Sequence, residues 1–133
     1  MILSIDSNAA YLVLPQAKSS IMGYFQLNSN LQHVEHPEVN GAILVECKAL
    51  RHVVSLVAEA ETTGVFYNTQ VSIPIQYILQ QFGHLQPPIY IKTDNSTVTG
   101  FVHNNIHQKK SKSWDMRYHW LRDCQTQCQF NIY

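Results

Sequence analysis

The chain has 133 residues, 45 % of them hydrophobic, with nine basic against nine acidic side chains and a formal net charge of zero. That length suits one domain with a real core rather than two; the apolar content excludes general disorder, and the balanced charge excludes a protein-wide basic field for nucleic acid. Only 14 % of residues are charged, which predicts modest solubility, and no apolar run reaches the length of a membrane span.

MILSIDS (1–7) and SIMGYFQL (20–27) are rich in branched and aromatic residues and read as strands, with a turn between them that contains VLPQAKS. In SIDSNAAYL the strand is expected to give way to that turn, and Asp6 and Asn8 share one face because strand side chains repeat every second residue. NSNLQHVEHPEVNG is a polar connection whose final Asn-Gly launches a third strand, AILVECKAL, completing an antiparallel meander. From residue 55 the pattern becomes helical. SLVAEAETTGVFY is one predicted helix, weakened by Gly64 and two threonines. VSIPIQYILQQFG is a second, with Pro74 near its start, Ile75, Ile78, Leu79 and Phe82 along one face, and Gly83 at its stop.

LQPPIYIKT supplies a short strand, and DNSTVTGFVHNN opens a helix with Asp94 or Asn95 at its cap. The basic stretch HQKKSKS leads into SWDMRYHWLRDCQTQ, a further helix, and CQFNIY is a final strand. The order β-β-β-α-α-β-α-α-β predicts an α/β domain over residues 1–133, a mixed sheet with helices packed on it. The opening residues lack the basic leader of a signal peptide, and Cys47, Cys124 and Cys128 form no secreted-scaffold pattern, so reduced thiols in an intracellular setting are expected.

An acid on the first strand, one in the first helix and Asp94 after the fourth strand can meet at one edge of such a sheet. Gathered carboxylates hold hard divalent cations, and a pair of such ions can clamp a phosphodiester. Each acid also has a plainer explanation: Asp94 as a helix cap, Glu59 and Glu61 as solvated residues of a first helical turn. Spacing alone leaves both readings open.

A family resemblance is more specific. SNAAYL, NGAILVECKAL, VAEAETTGVFYN, VSIPIQYILQQFGHLQPP, IKTDNSTVTG and KSKSWDMRYHWLRDCQTQCQFNIY, in that order, resemble the ribonuclease H domain at the end of copia-type retrotransposon polyproteins. The resemblance implies a ribonuclease H-like mixed five-stranded sheet, three antiparallel strands followed by parallel ones. It implies cleavage of the RNA strand of an RNA–DNA hybrid by two Mg²⁺ (or Mn²⁺) ions held by four carboxylates. Of those acids, the helix Glu matches Glu61, the acid after the fourth strand matches Asp94, and Asn8 stands where the first Asp is expected. A neutral amide cannot bridge two dications as a carboxylate does. Asp6, two residues away, keeps strand parity but lies about 6.6 Å along the chain, too far to substitute well. The fourth acid belongs to a helix beyond the last strand; with the sequence closing at Tyr133, the expectation is a domain incomplete at its C-terminus, with that helix missing and one sheet face uncovered and prone to association. The site is therefore expected to be impaired or inactive.

Implied partners are the RNA–DNA hybrid and the reverse transcriptase portion of the same polyprotein, in the cytoplasm or nucleus, with no membrane and no stated oligomeric state. Lys109, Lys110, Lys112 and Arg117, with Arg122, are candidates to grip phosphates. The alternative is a non-catalytic nucleic-acid-binding or interaction module, or a decayed remnant. Trp114, Tyr118 and Trp120 could stack on bases, but their spacing favours core for at least two of them. A zinc site from His103, His107, Cys124 and Cys128 fits the spacing of four but gains nothing from the resemblance.

Overall fold

A computed structural model describes residues 1–28, 40–51, 53–54, 57–96, 98–99 and 112–133. Strand β1 (Ile2–Leu14) pairs antiparallel with β2 (Lys18–Asn28), which pairs antiparallel with β3 (Ala42–Ala49). On the other side β1 pairs parallel with β4 (Ile89–Thr93), and β4 parallel with β5 (Phe130–Ile132). The order β3-β2-β1-β4-β5 is the expected five-stranded mixed sheet, with β1 at its centre.

Strand β1 outruns its sequence signal. It continues through SNAAYL, where a turn was expected, and the register with β2 shifts between Ala10 and Leu14. The left-handed φ of 53° at Leu12 falls in that irregular stretch, whose Leu12 N–H donates to Ser19 Oγ at 3.0 Å. A single 3-10 turn, Pro15–Ala17, then reverses the chain.

The two helices predicted between residues 55 and 83 are one: α1 (Val57–Gln81) runs straight through Pro74. Proline removes one i→i−4 bond, and here it sits on an exposed stretch of the helix, with Pro74 and Gln70 both exposed. The buried stripe also differs from the expected one. Leu79 is buried and Ile75 half-buried, whereas Ile78 and Phe82 are 53 % and 76 % exposed. The face against the sheet is carried instead by Ala60, Glu61, Gly64, Val65, Asn68, Thr69 and Ser72, a row of small and polar residues with helical spacing. The helix's buried hydroxyls are satisfied at short range: those of Thr62 and Thr63 donate to the carbonyls of Ala58 and Glu59, and those of Thr69 and Ser72 to the carbonyls of Phe66 and Thr69.

Helix α2 (Lys112–Thr126) packs on the same sheet face as α1. By register, Leu3, Ile5, Phe25, Ile89, Ile91, Phe130 and Ile132 share that face, and they form one core with Val65, Leu121 and Cys124. Trp120 closes it, edge-on to Phe66 at 5.2 Å and tilted on Phe130 at 6.2 Å; Tyr118 is 8 % exposed, so both aromatics serve packing. The opposite face carries Asp6, Asn8, Met22, Tyr24, Val45 and Cys47, of which Met22 is 45 % and Val45 64 % exposed. Among the described residues no helix is long and apolar enough to cross a membrane.

Asn68 pins α1 to the two central strands. Its side-chain amide donates to Ser7 Oγ on β1 at 2.8 Å and to the Met22 carbonyl on β2 at 2.9 Å. Gly23 makes this possible, because a Cβ there would overlap the Asn68 side chain and lie 2.9 Å from the Phe25 ring. Gly23→Ala is therefore expected to cost about 2 kcal/mol or more, as overpacking of a fixed buried contact does. Urea unfolding checks this; an unchanged midpoint would show that the contact yields freely.

Candidate active site

Gly64 sets how closely α1 approaches the sheet. A Cβ at this position would lie 3.3 Å from Ile21 Cγ2 and 3.6 Å from the Asn8 carbonyl oxygen, so the helix rests almost on the backbone of β1. One turn earlier, this close seat presses Glu61 against β1 just past its pairing with β4, where it is only 5 % exposed. Its carboxylate accepts the Ala9 N–H, while Oε2 is buried and has no hydrogen-bond partner among the described residues. Strand β4 ends at Thr93, opposite Ser7, and the next residue, Asp94, adds a second negative charge beside Glu61. Burial first, and the Asp94 charge second, push the Glu61 carboxyl from 4.5 up to about 7, with the Ala9 N–H pulling the other way.

Asn8 belongs to the same corner. Its side-chain Oδ1 accepts the Ala9 N–H at 2.8 Å, so Asn8 and Glu61 meet on a single backbone amide. Asp6 does not. It lies between Tyr24 and Lys92 in the register, and its charge acts on Tyr133, whose hydroxyl is pushed up by burial first, then by Asp6 and Tyr90. The helical turn after β4 takes the Val98 and Thr99 N–H groups on the Asn95 carbonyl. Asn95 therefore holds the cap position, and Asp94 stands exposed ahead of it, outside the turn. Glu59 lies in the first turn of α1, about 200° around the helix from Glu61.

The donor set can be tested against a hard cation. An orphaned buried carboxylate oxygen with a second carboxylate beside it suits one divalent ion, and Asn8 adds a neutral oxygen at the same backbone amide from the other sheet face. They do not suit two, because the third group is an amide where a bridging anion is needed. Among the described residues no three His, Cys, Asp or Glu side chains gather around a point.

The other candidates scatter. Lys109 and Lys110 lie outside the described residues, as do His103 and His107, and Lys112 is the first residue of α2. Arg117 is built into the helix pair, its guanidinium over the Phe66 and Tyr67 rings at 5.8 and 6.0 Å. Arg122 lies over its neighbour Tyr118 at 5.7 Å. Cys124 is buried in α2, whereas Cys128 follows the helix end at φ 57° and is exposed, so the two thiols do not share a helical face. The Ala9 amide escaped the sequence reading, since a backbone donor leaves no trace in residue type. Gly64 did leave one: a glycine inside a helix marks close approach, although it reads equally as a weak point.

No family model matches the chain, and no curated protein does. Solved structures do match in shape. The N-terminal RNase H domain of Rv2228c from Mycobacterium tuberculosis, determined as a fusion with maltose-binding protein, superposes with a TM-score of 0.62 at 9 % identity, over 99 % of this chain and 81 % of that one. RNase H1 from the halophilic archaeon Halobacterium salinarum gives 0.60 at 10 % identity over the same shares. LC11-RNase H1, obtained from compost by a metagenomic approach and crystallised with an RNA/DNA hybrid, gives 0.58 at 8 % identity over 98 % and 80 %. The chain thus has the ribonuclease H-like fold.

The Glu61 shift has a direct consequence for stability. Its carboxyl keeps a proton to higher pH folded than unfolded, so the contribution is fully present below 4.5 and is lost as pH rises through about 7. At about 1.4 kcal/mol per pH unit the loss reaches about 3 kcal/mol. Glu61→Gln, neutral and of the same shape, is expected to abolish this fall and to unfold at higher urea than wild type at pH 8. Parallel pH dependences of the two proteins would contradict it.

Proposed function

We propose that this chain is the ribonuclease H-like domain of a copia-type retroelement polyprotein, descended from a two-metal endonuclease acting on RNA–DNA hybrids and now impaired in cleavage. The observation that carries the reading is Asn8: the fold brings its amide, rather than the Asp6 carboxylate, to the Ala9 N–H that Glu61 also uses. The motif run from SNAAYL to the final strand supports the copia origin. The structural match to an RNase H1 crystallised with an RNA/DNA hybrid supports such a hybrid as the ligand.

In this reading Glu61 and Asp94 hold a Mg²⁺ or Mn²⁺ ion, with the Asn8 oxygen as a weak third ligand. When bound, such an ion supplies Lewis-acid polarisation of a phosphodiester and a more acidic water. The protein's own part is placement. Gly64 sets the depth of Glu61, β4 delivers Asp94, and the Ala9 N–H orients both Glu61 and Asn8. At neutral pH Glu61 is close to half protonated, so a cation must displace a proton to enter. Within the polyprotein, the reverse transcriptase portion presents the hybrid, in a retroelement particle of the cytoplasm or nucleus.

The same charge deficit favours a second reading, a module that binds hybrid without cutting it. The two are separated by incubating a labelled RNA–DNA hybrid with the protein and Mg²⁺ or Mn²⁺, and measuring binding and cleavage in parallel. The proposal expects hybrid binding that weakens about tenfold or more between about 50 and 200 mM salt. It expects cleavage to be faint, and lost on Glu61→Gln. Binding with no trace of cleavage selects the second reading; brisk cleavage contradicts the impaired site, and no binding at low salt contradicts both.

A further inference from the structure

Strand β3 ends the sheet, and among the described residues it pairs with β2 alone. Eight residues long, it has no proline, and Ile43 and Val45 are 49 % and 64 % exposed. A long apolar edge with unpaired N–H and C=O groups is a template for another strand unless a charge, a proline or a bulge guards it. The register shift at Ile43, where Ala42 opposes Gln26 and Leu44 opposes Phe25, guards only the start of β3, and its one lysine is no guard of the rest. Lys48 Nζ contacts Glu46 Oε2 of its own strand at 2.8 Å, so the edge is neutral along its length.

We infer that β3 is the docking edge for a second copy of this chain, the two β3 strands running antiparallel about a two-fold axis at Cys47. Charge selects this register. Glu46 and Lys48 flank Cys47 on the sheet face that carries α1, since they oppose Gly23 and Ile21 of β2. With the axis at Cys47, Glu46 stands opposite Lys48 of the partner subunit, and Lys48 opposite Glu46 of the partner subunit. Four charges of alternating sign then form a square, joining the two existing ion pairs across the interface. An axis at Glu46 would set two carboxylates against each other, and one at Val45 would set Leu44 against a carboxylate. On the opposite face the Cys47 register places Val45 over Ala49 of the partner subunit and joins the exposed apolar surfaces of Val45 and Met22 in one ten-stranded sheet. The two Cys47 residues face each other with Cα atoms about 4.5–5.5 Å apart, as directly opposed antiparallel residues do.

The test uses the full chain with Cys128→Ser, which leaves Cys47 as the exposed thiol among the described residues. Sedimentation and light scattering are expected to give twice the 15.3 kDa chain mass. A short bismaleimide is expected to link two chains through Cys47, with Cys47→Ser abolishing the link. Glu46→Lys and Lys48→Glu should each weaken dimerisation about tenfold or more, because like charges then oppose twice across the axis. The double variant E46K/K48E should restore it to within a few-fold of wild type. Circular dichroism confirms that each variant is folded, and a misfolded single leaves the cross-linking result to decide. A monomer at about 100 μM, a dimer untouched by the single variants, or no recovery in the double variant would each overturn the proposal.

Discussion

The distance between α1 and the central strands governs the rest of the molecule. Two glycines set it from opposite sides, Gly64 on the helix and Gly23 on β2, and Asn68 locks it by bonding to both β1 and β2. With the helix axis this close, a side chain at position 61 has nowhere to go but into the crevice against β1 just past its pairing with β4. A glutamate there must give up water, and the backbone returns only one donor, the Ala9 N–H. Among the described residues the second oxygen has no partner, and the neighbouring Asp94 makes the deficit worse. The carboxylate is held there at a cost to stability.

What that carboxylate can do depends on its third neighbour. Two dications over one phosphate need anionic oxygens between them, and Asn8 offers an amide. Asp6, on the same strand face, is no reserve: its electrostatic partner is Tyr133 and its cross-strand neighbours are Tyr24 and Lys92. Two residues along a strand keep the face and change the neighbourhood entirely. The corner thus joins two carboxylates and one neutral amide side chain around a single backbone N–H.

The sheet was legible in the sequence because its strands announce themselves by branched residues bounded by Pro, Gly and Asn, and the order of elements follows from their spacing. The helical region was not. Ala60 and Val65 follow the apolar period, but the rest of the buried stripe is Glu, Gly, Thr, Asn and Ser, which a reading based on that period passes over, while the apolar Ile78 and Phe82 that it selects face outward. The break expected between Tyr67 and Val71 is absent as well: the helix continues unbroken through that stretch and through Pro74. At the site, Glu61, Asp94 and Asn8 could be named from motif order, but the reason they meet, a shared backbone amide and a glycine seat, exists only in three dimensions.

The most direct measurement is Mn²⁺ binding to wild type and to Asn8→Asp, followed by the paramagnetic relaxation of water protons, with Asn8→Asp/Glu61→Gln as control. Restoring the anion at position 8 should tighten Mn²⁺ at least about tenfold, the effect of one added carboxylate ligand worth about 1.4 kcal/mol or more, and the control should lose the gain. Equal affinities in wild type and Asn8→Asp would mean that residue 8 stands outside the coordinating corner, and the account of a site short of one charge would fail.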